Sequence, residues 1–198
     1  MTLTPTRRAL IAGGLALCAC PAAAAPRAYD LLPDRSRILF RFDVGGTAQT
    51  GEVPVSQADI RVDTDDLAAS SASVTADISR ARTGFAPVTQ ALLSPSVLDA
   101  ASYPLTQFVS TRIRLGARGR ISEGATITGD LTLRGVTWPL TLDAVLSRPA
   151  GSAPDDLSFL YVDLTGSLNR RDFGATGYPD LVADIVALDI HAEIRARG

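Results

Sequence analysis

The segment Thr128–Leu146 alternates apolar and polar residues along two arms that meet at Gly135, and this pattern limits the fold more strictly than any other stretch. Period two places the apolar set on one face of a half-buried strand. Pro139 lies on the polar phase of the second arm, where its missing N–H predicts a local edge or bulge. The apolar phase of that arm consists of Val136, Trp138, Leu140, Leu142, Ala144 and Leu146. The segment therefore predicts a β-hairpin.

The same alternation recurs along most of the chain. Further strands are predicted over Ser36–Val44, Thr47–Val53, Gln57–Asp63, Ser73–Ser79, Thr106–Leu115, Leu157–Leu168 and Val186–Arg195. Within Thr106–Leu115, strict alternation predicts Phe108 on one face and Val109, Ile113 and Leu115 on the other. Short strands at regular spacing, with turn signals between them, favour a β-sandwich or an up-and-down β-barrel.

Between Arg82 and Pro104 the strand period is lost. Pro87–Leu93 is predicted to form one short helix. Ser96–Ala101 is predicted to form a second, because Ser94-Pro95 places a proline at its start. The sequence therefore predicts an all-β domain with a helical insert over residues of about 85–101.

The N-terminal residues 1–24 have the pattern of a secretory signal peptide. Arg7-Arg8 supplies the positive region, Ala9–Ala19 the apolar region, and the small residues after Pro21 a cleavage site, which we place after Ala24. We therefore predict export to the periplasm and a single domain over residues 25–198. An alternative is a lipoprotein anchor at Cys20, and both cysteines of the chain lie inside this segment.

The composition argues against several classes of function. A formal net charge of −2 and the absence of a basic stripe give no support for nucleic-acid binding. His191 is the single histidine and lies on the polar phase of the last strand, where we expect a solvated side chain. Any histidine-based triad would have to use this residue, and a common zinc site lacks both a second histidine and a cysteine in residues 25–198. We therefore predict no metal, no cofactor and no enzymatic activity.

The inward phase of the strands leaves one question open. It is aliphatic with a few aromatic residues, and an eight-stranded barrel with such a wall either fills itself or holds one small apolar ligand. Both alternatives require the same alternation, so the pattern does not separate them. The main inward residues are Phe40, Phe42, Phe108, Leu131, Leu133, Trp138 and Leu140.

Several segments, taken in order, resemble the YceI-like family of exported polyisoprenoid-binding proteins. They are Tyr103-Pro104 followed by Phe108, the hairpin Gly129–Leu142, and Asn169-Arg170-x-Asp172-Phe173-Gly174 before the last strand. The resemblance implies a lipocalin-like, eight-stranded antiparallel β-barrel with a helical lid and a tunnel for an isoprenoid chain. Two positions at which the family usually has histidines hold Arg35 and Val44 here, so any role of those histidines does not transfer.

The resemblance also implies a function. The chain is expected to carry or sequester a quinone or a polyprenyl phosphate and to contact membranes transiently, and a homodimer is left open. The inward residues given above are expected to contact the tail, with Phe85, Leu92 and Leu93 forming the lid. Arg170 and Asp172 are expected either to make polar contacts with the ligand or to brace a turn. The rival hypothesis is a filled barrel that binds a protein partner or acts as a stress-related accessory protein.

Overall fold

The computed structural model describes residues 26–63, 66–116, 124–153 and 156–197. The predicted signal peptide, with Cys20, lies outside these ranges. The described residues form eleven β-strands and one α-helix. The strands are β1 (Arg27–Leu31), β2 (Arg37–Val44), β3 (Thr47–Val53), β4 (Val55–Val62), β5 (Ser71–Asp77), β6 (Arg82–Thr83), β7 (Leu105–Leu115), β8 (Ala125–Leu133), β9 (Val136–Ser147), β10 (Phe159–Asn169) and β11 (Ile185–Ala196), and the helix is α1 (Ala86–Leu93).

The strands close into an eight-stranded antiparallel barrel. Neighbours pair in the order β1-β4-β5-β7-β8-β9-β10-β11, and β11 pairs with β1 to complete the ring. The strands β2, β3 and β6 continue β1, β4 and β5, respectively, beyond a short interruption in each case. A turn at Pro33–Arg35 separates β1 from β2, Pro54 separates β3 from β4, and a turn at Ile78–Arg80 separates β5 from β6. The expectation of a lipocalin-like barrel with a short helix is confirmed.

The predicted hairpin is β8–β9. Its strands pair from Ala125–Ala144 to Leu133–Val136, and the turn residues Arg134 and Gly135 both have positive φ, at 53° and 73°. Two positive φ values match the right-handed twist of the flanking strands, as in type I′ turns. Pro139 pairs with β8, but the pairing of β9 with β10 starts only at Leu142. The missing N–H of Pro139 therefore lies at a locally unpaired edge.

Two local predictions were wrong. A bulge between Ser110 and Arg112 shifts the register of β7 by one residue. Because a one-residue shift exchanges the two faces of a strand, Phe108 and Ile113 both point into the barrel. The second predicted helix is instead a series of turns over residues 94–102, which includes Asp99 at a φ of 47°.

The two ends of the barrel are built differently. The end that contains the β2–β3 turn, α1 and the β8–β9 turn is called the lid end below. At the opposite end, called the closed end, a separate apolar cluster gathers around Tyr29. The four buried members of that cluster are Tyr29, Val62, Leu160 and Ile194. In the described ranges, no helix is long and apolar enough to span a bilayer.

Candidate ligand-binding cavity

The barrel is hollow. A cavity of about 510 Å³ runs through its interior, and its wall is almost entirely apolar. This volume lies within the range of roughly 300–1,000 Å³ that small-molecule sites occupy. Of the two alternatives that the alternation left open, the cavity favours the barrel with space for an apolar ligand over the filled barrel.

Seven of the predicted contact residues lie on the cavity wall. Phe40 and Phe42 stack with ring centroids 5.8 Å apart, and Leu131, Leu133 and Leu140 come from the β8–β9 hairpin. Phe108 of β7 and Leu92 of α1 also line the cavity. These residues belong to four strands and the helix, so they face the cavity from several sides.

Glycines on neighbouring strands explain why the aromatic rings leave the axis open. Phe40 pairs with Gly51, and a Cβ built at Gly51 would collide with the Phe40 ring. Phe108 covers Gly129 in the same way. Each ring thus lies flat over the backbone of the next strand, close to the wall. Both glycines occupy inward-facing positions of their strands. Glycine at inward positions was the sequence feature that could have predicted an open barrel axis.

The helix α1 closes the lid end with one face. Pro87, Val88, Ala91 and Leu92 point into the cavity. Thr89 anchors the start of the helix, since its Oγ1 accepts a hydrogen bond from the Thr83 N–H at 2.9 Å. The turn after the helix adds two more side chains to the wall, Val97 and Leu98.

Two of the three predicted lid residues do not line the cavity. Phe85 precedes the helix, and its side chain is 60% exposed. Leu93 points away from the cavity and packs against the surrounding core. The inward face of α1 is centred on Val88 and Leu92, which are four residues apart and so share a helix face.

Trp138 and Asp172 are also placed differently from the prediction. Trp138 has the inward phase of β9, but it lies where β9 and β10 have separated, and its side chain is 50% exposed. Asp172 is exposed and lines the same small cleft between β9 and β10. Neither residue belongs to the cavity wall. Alternation alone does not show where a strand loses its neighbour, which is why Trp138 was misplaced.

Arg170 reaches the cavity but works as a structural brace. It is 5% exposed and donates hydrogen bonds to four backbone carbonyls, with Asp184 at 3.3 Å from Nη2. The four acceptors are Ala175, Gly177, Val182 and Ala183, at 2.5 to 3.0 Å. A guanidinium has five N–H donors, of which four bind these carbonyls, and Nη2 also forms the ion pair with Asp184. The turn-bracing alternative for Arg170 therefore agrees with the geometry.

The loop over residues 174–182 forms part of the wall that sequence reasoning did not identify. Ala175, Gly177, Tyr178 and Leu181 line the cavity at the lid end. The Gly177 N–H donates to the Ser96 carbonyl at 2.7 Å, which ties this loop to the turn after α1. Its alternation is broken by glycine and proline, so no strand or helix period marked it as part of the wall.

Arg134 fastens the lid from the hairpin side. Its Nη1 donates to the carbonyl oxygens of Pro95 and Val97, at 2.9 and 2.6 Å. Its Nε is buried without a hydrogen-bond partner. The β8–β9 turn thus holds the segment that follows α1.

His191 lies on the outer face of the barrel. Its Nδ1 is 2.6 Å from Asp163, and its ring stacks on Tyr161 with centroids 6.0 Å apart. The side chain is 24% exposed, so it is partly buried among these neighbours rather than fully solvated as expected. Within the described ranges, no group of three histidine, cysteine or carboxylate side chains is arranged to hold a metal ion.

Comparison with known proteins gives both a family match and structural neighbours. A domain model described as YceI-like matches residues 29–194. A UPF0312 protein of Pseudomonas putida (strain W619) is 35% identical over 102 residues, which are 52% of this chain and 50% of the relative. A UPF0312 protein of Yersinia enterocolitica is 33% identical over 85 residues, which are 43% of this chain and 41% of the relative. The chain spans about half the length of the curated relatives it matches.

Solved structures agree with the fold. The crystal structure of Burkholderia cenocepacia BcnA has a TM-score of 0.71 at 19% identity and covers 83% of this chain and 99% of that one. A Campylobacter jejuni YCEI protein has a TM-score of 0.56 at 22% identity and covers 75% and 84%. At these identities the likeness shows the fold alone.

Proposed function

Because the chain belongs to the YceI-like family, we propose that it is a periplasmic protein that carries or sequesters a long-chain isoprenoid lipid inside its barrel. The apolar cavity of about 510 Å³ is the observation that carries this proposal. The family's barrel is a binding fold rather than a known enzyme class, which supports a role without catalysis.

The energetics favour exchange with membranes over capture from water. Burial of apolar groups contributes about 0.8 kcal/mol per CH₂ relative to water. An isoprenoid tail in a bilayer is already in an apolar medium, so its transfer into the cavity is close to neutral. A protein with such a cavity loads from and unloads to membranes according to small differences in affinity.

The placement of Arg170 bears on the head group. Four of its five N–H donors bind backbone carbonyls and its charge is paired with Asp184, so it has at most one donor left for a phosphate. This favours a quinone, which has a neutral head group, over a polyprenyl phosphate as the ligand.

The test is to purify residues 25–198 from a bacterial periplasm and analyse organic extracts by mass spectrometry. We expect a stoichiometric isoprenoid lipid, and we expect its loss when Leu131→Trp and Leu133→Trp fill the cavity. Val145→Trp is the matched control, because Val145 is 52% exposed on the outer face of β9. Circular dichroism and thermal melting establish that each variant is folded.

A clean extract from folded wild-type protein, together with no uptake of added ubiquinone, would overturn the proposal. The partner-binding alternative would then be preferred. Retention of the lipid by a folded Leu131→Trp, Leu133→Trp variant would show that the ligand lies elsewhere.

A further inference from the structure

The exposed apolar side chains are concentrated at one end of the barrel. Among the described residues, seven large hydrophobic side chains are at least 47% exposed, and six of them lie at the lid end. We call these six the lid-end rim: Phe85, Leu105, Trp138, Tyr178, Leu181 and Ile185. The seventh, Val145, lies on β9 toward the closed end. An apolar surface that is both large and localised marks an interaction site.

The rim surrounds the lid rather than forming a stripe on one side. Phe85 comes just before α1, and Leu105 and Ile185 are the first residues of β7 and β11. Trp138 lies near the start of β9, while Tyr178 and Leu181 belong to the loop over residues 174–182. Because the rim residues are distributed around the lid, they could all contact one flat apolar surface at this end of the barrel.

The rim is continuous with the cavity. Tyr178 and Leu181 line the cavity and are also 47% and 50% exposed. These two side chains therefore connect the exposed rim with the cavity wall. At the opposite end the cavity reaches the buried cluster around Tyr29, of which Val62 and Ile194 form part of the wall.

Charge is sparse in the segments that carry the lid. From Thr83 to Thr111 the only charged residue is Asp99. At the same end, Arg134 and Arg170 direct their guanidinium groups toward backbone carbonyls, and Arg171 pairs with Asp184 at 2.6 Å. Arg80 is exposed just before the lid and Arg82 pairs with Glu52 at 2.9 Å, but the exposed Asp172 and Asp180 carry the opposite charge. The lid end thus offers no excess of cations for anionic lipids, and attraction to a bilayer must come from the apolar side chains.

From these observations we infer that the lid-end rim docks on the surface of a phospholipid bilayer and that ligand enters and leaves past Tyr178 and Leu181. The inference rests on the proposed function for the identity of the cargo, while the docking surface is argued from the rim itself. A bilayer is the occupant that fits best, because the rim encircles the entrance of a cavity whose apolar cargo comes from a membrane. A second copy of the chain is the competing occupant.

Flotation with vesicles measures docking directly. Ligand-free protein is mixed with phosphatidylcholine–phosphatidylethanolamine vesicles, and the floated fraction gives the partition coefficient. The double variant Phe85→Ser, Ile185→Ser should partition at least about tenfold more weakly, since two large apolar groups are removed. Neither residue lines the cavity or belongs to the core, so the fold should be retained. Binding should change little with salt or with added anionic lipid.

The matched control uses exposed apolar residues of the barrel wall that do not belong to the rim. Val109 and Val145 are 41% and 52% exposed on the outer face of the barrel wall. The double variant Val109→Ser, Val145→Ser should bind vesicles like wild-type protein. Equal losses in both double variants would show general stickiness and would overturn the inference.

Trp138 provides a second readout, because it is the only tryptophan of the chain and belongs to the rim. Its fluorescence should shift to the blue on vesicle binding and should be quenched by brominated phosphatidylcholine. Vesicle binding without quenching would place another face of the barrel on the bilayer and would also contradict the inference.

Delivery of ubiquinone by two routes separates this inference from the proposed function. The Phe85→Ser, Ile185→Ser variant should accept ubiquinone from cyclodextrin as well as wild-type protein does, but at least about tenfold more slowly from vesicles.

If wild-type protein takes up ubiquinone from cyclodextrin but does not bind vesicles, the docking inference fails and the proposed function stands. If wild-type protein binds vesicles but takes up ubiquinone from neither source, the proposed function fails. A dimer that the rim variant converts to a monomer, without vesicle binding by wild type, would assign the rim to a second copy.

Discussion

The two ends of the barrel are closed by different kinds of interaction. At the closed end, Tyr29 and Ile194 are almost completely buried, and the Tyr29 hydroxyl donates to the Leu157 carbonyl at 2.7 Å. At the lid end, Arg134 and Arg170 hold loops through hydrogen bonds to backbone carbonyls, and the outer side chains remain exposed. The comparison indicates that one end stabilises the fold and the other is suited to opening.

Backbone conformation supports the same distinction. The non-glycine residues with positive φ in the described ranges are Asp99, Arg134 and Tyr178, and all three lie at the lid end. Such conformations cost energy and persist where surrounding contacts impose them, often at ligand clamps and switch regions. The closed end shows no such residue among those described. Local strain therefore coincides with the entrance to the cavity.

The largest effect is expected from truncation at the closed end. Tyr29→Ala should lower the free energy of unfolding by ~3–5 kcal/mol, as for other large aromatic residues removed from a core. Urea unfolding followed by circular dichroism measures this. Phe85→Ala at the lid end is the comparison variant, and it should change stability by less than about 0.5 kcal/mol because its side chain is exposed. Similar losses in the two variants would remove the distinction between the ends.

The next largest effect concerns the brace at the lid end. Arg170→Lys should destabilise the protein by ~2–3 kcal/mol, because a lysine has three donors and lacks the planar fork that reaches several carbonyls at once. Hydrogen exchange should accelerate most in residues 174–184, which contain the carbonyl acceptors. Arg171→Lys is the matched control, since Arg171 is half-exposed and pairs with Asp184 alone. Uniform acceleration over all strands would instead indicate that Arg170 supports the whole barrel.

A smaller and more local effect is expected at the fastening of the lid. Arg134→Met keeps most of the side-chain bulk but removes the hydrogen bonds to Pro95 and Val97. Local opening of residues 86–98 should become easier by ~1–2 kcal/mol, which is about a tenfold increase in their hydrogen-exchange rates. Exchange at the closed end should stay the same. Arg112→Met, on the exposed face of β7, is the control, and a matching increase there would mean that the effect is not specific to the lid.

The barrel itself was predictable from the sequence because period two records which face of each strand is buried. Phe40, Phe42 and Leu131 were placed on the wall by this pattern alone. The pattern failed where the ladder is irregular. The bulge in β7 reversed the phase of Ile113 relative to Phe108, and the separation of β9 from β10 left Trp138 outside the cavity.

The contribution of the lid was harder to predict. Tyr178 and Leu181 reach the cavity from a loop held by Arg170, and such a contact depends on hydrogen bonds between residues that no periodic pattern connects. The open axis depends on which strand lies beside which, since Gly51 makes room for Phe40 only when the two are paired. Pairing is a property of the assembled sheet rather than of one strand.

The smallest predicted effect is a pH dependence that originates at the closed end. Burial raises the pKa of Tyr29 above its ordinary value, and the nearby Arg27 offsets this only in part. Because the unfolded chain then releases the phenolic proton before the folded protein does, this contribution to stability is present below pH ~10 and is lost as the pH rises through the folded-state pKa. The free energy of unfolding should fall by at most about 1.4 kcal/mol per pH unit in that window.

The composition makes this pH dependence measurable. All 19 basic residues are arginines, and residues 25–198 contain no cysteine, so tyrosines are the main side chains that titrate between pH 9 and 12. Tyr29→Phe should therefore lose about 1 kcal/mol at neutral pH, through the hydrogen bond to Leu157, and should show a flatter alkaline decline than wild-type protein. An alkaline slope that Tyr29→Phe leaves unchanged would show that the closed end does not determine the alkaline stability of the barrel.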